Sequence, residues 1–168
     1  ELYETMMTDF AAAFPGICRL EEIGVLPSGR RLLAVVISDN VATEEAEPRF
    51  LYTATMHGNE TAGFPLMLRL IDHLLCHYGQ DDRLTALVDE VEIWINPLAN
   101  PDGTYTGDNG SLAGATRFNA NGVDLNRNYP DPEDGPHPEH VPDPIERRFV
   151  GPPESIEAAG DGGLDRAR

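Results

Sequence analysis

The sequence predicts an α/β layered domain with helices packed on a mixed sheet. Three observations carry this: apolar residues at helical spacing in two segments, short apolar runs between them, and turn residues at the junctions. Leu2 to Phe14 places Leu2, Met6, Phe10 and Ala13 at helical spacing and stops at Pro15-Gly16, which predicts a helix. Cys18 to Val25, Pro27-Ser28-Gly29 and Arg31 to Ser38 read as strand, turn and strand. Leu32 to Ile37 is almost wholly apolar, as suits a strand covered on both faces. An acidic loop from Asp39 to Pro48 leads to a strand over Phe50 to Met56. After His57-Gly58-Asn59-Glu60, the residues Phe64, Met67, Leu68, Ile71, Leu74 and Leu75 form a wide apolar stripe. It predicts a long helix that stops at Gly79. Val91 to Leu98 is a further strand, followed by Asn100-Pro101-Asp102-Gly103.

Beyond that point Gly, Asn, Asp and Pro dominate, so Asn100 to Pro144 reads mainly as loop, with Asp131 to Pro144 Pro-rich and exposed. One domain is expected over 1–159, with 160–168 as a disordered tail.

The formal charge is -17, from 29 acidic residues against 12 arginines, with no lysine. Such a surface argues against nucleic-acid binding, which needs a basic footprint. Solubility or genome composition accounts for the acidity, and adaptation to high salt is the sharper alternative. No apolar run approaches the roughly 20 residues needed to span a bilayer. Glu1 to Asp9 lacks a signal-peptide profile and reads as a mature or trimmed terminus. The two cysteines, Cys18 and Cys76, form no CxxC pair, and Cys76 reads as a core thiol within the apolar helix.

Two clusters carry chemistry. His57-x-x-Glu60 follows an apolar strand and offers imidazole nitrogen and carboxylate oxygen on one side of a turn, donors that suit zinc. Taken alone, it is more commonly a surface His beside a helix-start Glu. The second cluster is Arg117-Phe-Asn-Ala-Asn-Gly-Val-Asp124-Leu-Asn126-Arg127-Asn128-Tyr129-Pro130. Two guanidinium forks in a loop rich in Asn and Gly look like a site for a carboxylate or a developing oxyanion. Alone, it is also an ordinary solvated loop.

In combination and in this order, His-x-x-Glu, Asn-Pro-Asp-Gly and Arg-x-Asn-x-x-Gly-x-Asp-Leu-Asn-Arg-Asn-Tyr-Pro resemble the zinc metallocarboxypeptidases. The wording is closer to the carboxypeptidase E/N/D branch and its bacterial relatives than to the digestive branch. The resemblance implies a three-layer α/β/α fold with a mixed, mostly parallel central sheet, truncated here on the C-terminal side. It implies zinc as cofactor, with His57 and Glu60 as two ligands and Asp124 orienting His57. Arg117 is then the cation beside the scissile carbonyl, and Asn126 with Arg127 holds the free C-terminal carboxylate of a peptide or protein. A secreted or periplasmic location follows from the family in the same way.

The chain also departs from that pattern. The third ligand, a downstream His, and the later catalytic Glu and substrate-binding Tyr find no match in the 41 residues after Arg127. His137 and His140 read as solvated loop residues, Tyr129 as structural, and His73 with His77 as helix residues at a spacing able to bind a metal in principle. An open half-domain exposes apolar surface and strand edges, so self-association or pairing with a complementing half is expected. Alternative readings are a non-catalytic module that binds peptide C-termini, a related zinc acylase of the aspartoacylase or succinylglutamate desuccinylase kind, and a cell-wall peptide hydrolase.

Overall fold

A computed structural model describes residues 2–128, together with the backbone of residues 130–131 and 135–136. His137, His140, Tyr129 and the expected tail over 160–168 lie outside the described residues. In chain order the elements are α1 (Leu2–Ala13), β1 (Cys18–Val25), β2 (Arg31–Ile37), β3 (Arg49–Thr53), α2 (Gly63–His77), α3 (Asp82–Glu90), β4 (Glu92–Asn96), α4 (Pro101–Thr104), a 3-10 turn (Leu125–Arg127), β5 (Pro130–Asp131) and β6 (Gly135–Pro136).

The main sheet has the order β1-β2-β4-β3. It is mixed, as expected. Among the described residues, however, only β3 and β4 run parallel, while β1–β2 and β2–β4 are antiparallel. The cause is local: Leu26 to Arg30 closes a tight turn with Gly29 at φ +84°, so β2 must return alongside β1. The β3–β4 connection holds two helices and so gives a parallel crossover.

Alternation along β2 and β4 assigns the faces. Leu33, Val35, Ile37, Ile93 and Ile95 pack against Met7 of α1, Ile71, Leu74 and Leu75 of α2 and Val88 of α3. On the opposite face Ala34, Val36 and Trp94 lie beside Leu51 and Ile23. There Glu92, 6% exposed, accepts from Arg49, Arg19 and the Trp94 indole, at 2.9, 3.5 and 2.7 Å, which keeps a buried charge paired. Among the described residues the helices that pack on the sheet share one face. At the β3 edge, Phe50 and Tyr52 stay about half exposed, with ring centroids 4.6 Å apart.

Two local expectations need correction, and one helix was not anticipated. The buried stripe of α1 runs through Tyr3, Met7, Phe10 and Ala11, one residue out of phase with Leu2 and Met6, and Leu2 is 76% exposed. Cys76 is exposed on α2, off the Ile71–Leu74–Leu75 face, whereas Cys18 is the core thiol, its pKa pushed up to about 12 by burial. Finally, Asp82–Glu90 is a helix that the loop-like Gly79-Gln80-Asp81 obscures. Gly79 at φ +72° ends α2, and Asp81 caps α3 by accepting from the Arg83 and Leu84 N–H groups at 2.9 and 3.2 Å.

Those two backbone bonds, first Leu84 and then Arg83, hold the Asp81 carboxyl below its usual pKa. A group depressed in the folded state stabilises above its unfolded pKa and loses that contribution as pH falls through the folded value. Asp81→Ala should therefore lower the thermal midpoint at pH 7, with the gap to the parent protein narrowing as pH falls below the usual carboxylate range. Asp81→Asn, still a good cap, should remain close to the parent at pH 7; melts across this range decide it.

Candidate active site

The parallel pair aims two loops at one place. Beyond β3 and β4 the ladder continues between irregular segments: Ala54 N–H bonds Asn96 O at 3.0 Å, Ala99 N–H bonds Ala54 O at 2.9 Å, and Asn100 N–H bonds Thr55 O at 3.1 Å. The loop that carries His57 is thereby joined to the Asn-Pro-Asp-Gly segment at the C-terminal ends of the two strands, where ligands gather in α/β sheets.

Asn100 has a role that its motif alone did not disclose. It caps α4 by accepting from Gly103 N–H at 2.8 Å, and its amide donates to Met56 O at 3.2 Å. An Asn followed by Pro at the first helical position was the available signal. Asp102, 7% exposed, accepts from Arg30 and Ser28 at 2.5 and 2.6 Å, pinning α4 to the β1–β2 turn. Gly58 lies so close to this helix that a Cβ would meet Gly103 C at 2.2 Å and Thr104 N at 2.4 Å. Gly103 is as tightly placed on its other side: a Cβ there would meet Phe118 O at 2.4 Å. Thr116 N–H also donates to Gly103 O at 2.8 Å, so the Arg117 loop rests on α4 too.

The second loop turns back through Asn119. Its side chain accepts from the N–H groups of Asn121 and Val123, both at 2.9 Å, and Gly122 takes φ +75°. This tight return brings Arg117 and Asp124 side by side, with Arg117 Nε donating to Asp124 Oδ2 at 2.7 Å.

His57, 8% exposed, stands between two carboxylates. Its Nε2 is 3.2 Å from Asp124 Oδ1 and its Nδ1 is 3.0 Å from Glu60 Oε1. Arg117 Nη1 approaches the same pair, 3.3 Å from His57 Nδ1 and 3.7 Å from Glu60 Oε1. Burial acts to raise the Asp124 pKa, but the Arg117 hydrogen bond and charge, the Asn126 N–H and His57 together hold it below the usual range. Thr55, two residues before His57, has φ +60°, which is costly for a β-branched residue. Its buried hydroxyl has no hydrogen-bond partner among the described residues.

His57, Glu60, Arg117 and Asp124 are thus assembled in space from positions up to 67 residues apart. Asn126 and Arg127 follow on the 3-10 turn, where Asp124 Oδ1 caps the Asn126 N–H at 3.0 Å. Their side chains are exposed, and Arg127 Nη1 donates to Asn126 O at 2.9 Å. His73 and His77 lie elsewhere, on α2.

The donor set suits a zinc ion. Two ligands bound to one tetrahedral ion at about 2.0–2.1 Å stand roughly 3.3 Å apart, and His57 Nδ1 and Glu60 Oε1 are separated by 3.0 Å. With Asp124 Oδ1 accepting from Nε2–H, the neutral imidazole keeps its lone pair on Nδ1, toward Glu60. Two carboxylates against one guanidinium leave an excess of negative charge for a dication.

Comparison with known proteins agrees. A family model described as zinc carboxypeptidase matches residues 3–157. Carboxypeptidase D of Anas platyrhynchos is 42% identical over 144 residues, covering 81% of this chain and 10% of the relative. The carboxypeptidase N catalytic chain of Homo sapiens is 42% identical over 125 residues, covering 70% of this chain and 27% of the relative. The crystal structure of carboxypeptidase A from Helicoverpa armigera has the same fold, with TM-score 0.68 at 23% identity, covering 91% of this chain and 40% of that one. The chain therefore spans well under half of the proteins it resembles, and across that span it belongs to the zinc carboxypeptidase family.

Proposed function

We propose that this segment supplies the first part of the active site of a zinc-dependent metallocarboxypeptidase, which hydrolyses the C-terminal peptide bond of peptides or proteins. The observation that carries the reading is His57, held by Asp124 on one ring nitrogen and facing Glu60 with the other.

In this reading His57 and Glu60 are two of three protein ligands, and Asp124 orients the imidazole. Bound zinc supplies a Lewis acid for the scissile carbonyl and lowers the pKa of water toward about 7. Arg117, fixed by Asp124 and reaching to within 3.7 Å of Glu60, puts a cation where negative charge develops on that carbonyl oxygen. Asn126 and Arg127 hold the substrate's terminal carboxylate, which restricts cleavage to the chain end. The third ligand and the general base are not among the described residues, so the reaction is that of the domain as a whole. A secreted or periplasmic location belongs to the same proposal and rests on the family alone.

The zinc-loaded full-length protein should release the last residue from a peptide with a free C-terminal carboxylate and leave the matching C-terminal amide intact. Arg117→Ala should lower kcat by about 100- to 1000-fold. Binding of the free acid without any release would replace the hydrolase with a module that only recognises peptide C-termini.

Asp124→Asn should weaken zinc binding by roughly 10- to 100-fold, measured by competition with a chromogenic chelator, with His57→Ala as the severe control. Unchanged zinc affinity in Asp124→Asn would remove its orienting role. Gly58→Ala should lower stability by roughly 3 kcal/mol, because its new methyl meets backbone atoms of α4; a chemical-denaturation midpoint equal to the parent's would show that the loop has room to shift.

A further inference from the structure

A second pair of imidazoles lies on α2. His73 and His77 occupy adjacent turns of one helix face, with ring centroids 4.3 Å apart and planes tilted by 50°. Both are exposed, and the buried residues of α2 are Ile71, Leu74 and Leu75, so neither ring is needed for the core. His77 Nδ1 is 2.9 Å from the carbonyl oxygen of His73. A carbonyl can only accept, so Nδ1–H donates, and in the neutral ring Nε2 carries the lone pair. Tying one ring nitrogen to a backbone carbonyl is how proteins commonly orient an imidazole that ligates a metal through the other.

The spacing fits a shared ion. Two imidazoles bound side by side to one ion through bonds of about 2.0–2.1 Å have centroids roughly 4.5–5 Å apart, so a small ring rotation closes the chelate. Asp81 lies near enough for its charge to interact with His77, and the strongly acidic chain favours a cation here. Cys76 Sγ faces Asp72 Oδ1 at 3.6 Å and stays outside the ligand pair. His73 stands ten residues beyond the start of α2, about 15 Å along its axis, whereas His57 and Glu60 precede that helix.

We propose that His73 and His77 form a surface chelate for a transition-metal dication that favours imidazole, namely Cu2+, Ni2+ or Zn2+, separate from the His57–Glu60 site. The probe is Cu2+ carried by iminodiacetate, and any binding at the His57–Glu60 site is common to all the variants compared and is read from the His73→Ala/His77→Ala double variant. Calorimetric titration uses the untagged chain with His137 and His140 replaced by Ala, which leaves three of the five histidines. His73→Ala and His77→Ala should each weaken binding by about ten-fold or more, because a single imidazole cannot chelate, and the double variant should lose this binding altogether. Circular dichroism melts confirm that these surface changes leave the fold intact. Unchanged affinity in the single variants, with only the number of bound ions reduced, overturns the chelate and leaves two independent surface imidazoles.

Discussion

The Asp124 carboxylate is the constraint on which the site depends. Its Oδ1 receives His57 Nε2 and the Asn126 N–H, and its Oδ2 receives Arg117 Nε. One short side chain thereby sets the orientation of the imidazole, the position of a guanidinium and the start of the turn that carries Asn126 and Arg127. Asp suits this because its carboxylate can accept from the N–H two residues on, which a longer Glu reaches poorly. Arg suits its partner because a planar fork can hold Asp124 through Nε while Nη1 extends toward His57 and Glu60, a geometry that a lysine ammonium lacks. Burial opposes the charge on Asp124, and its donors outweigh that cost.

The hub works only because three distant segments meet within van der Waals distance, and α4 is where they meet. Gly58 packs on Gly103 and Thr104, and the far side of Gly103 packs on Phe118 O. Hydrogen bonds then lock what the missing side chains allow: Asn100 to Met56 O on one side and Thr116 to Gly103 O on the other. Arg30 and Ser28 anchor α4 through Asp102, so a turn far from the chemistry bears on the site. The strained backbone of Thr55 sits inside this frame, held by bonds of its neighbours and its own carbonyl. Strain of this kind persists only where surrounding structure over-determines it.

How much of this could be read from sequence depended on how local each determinant is. The α2 stripe and the apolar β2 run were legible because burial repeats along a single element. The same logic gave α1 the wrong phase, since Leu2 and Met6 are as apolar as Tyr3 and Met7 and only packing on β1 and β2 distinguishes them. The short α3 escaped because its boundary is a cap by Asp81, within a stretch that resembles a turn. For the site, the His57–Glu60 pair and the two guanidiniums stood out in the motifs, and the Asp124–His57 contact followed only from the family resemblance. The buttress was not, because Gly58 and Gly103 are important for what they lack, and the absence of a side chain becomes informative only when the opposing backbone is known.

The acidity of the chain gives the placement of its arginines a further meaning. Arg19, Arg30, Arg31, Arg49 and Arg117 are each held by a carboxylate. Arg127 instead donates to the carbonyl of its neighbour and, like Arg69 and Arg83 on the helices, makes no ion pair among the described residues. With a formal charge of -17, this chain repels an anionic peptide end at long range. If Arg127 is to hold such an end, it must not already be neutralised, since a bound carboxylate would then have to displace an internal one. The 3-10 turn meets that requirement by satisfying Asp124 with Arg117, His57 and a backbone N–H, which leaves the second guanidinium exposed one turn away. The same short loop therefore separates a cation that is fixed in place from one that is left exposed.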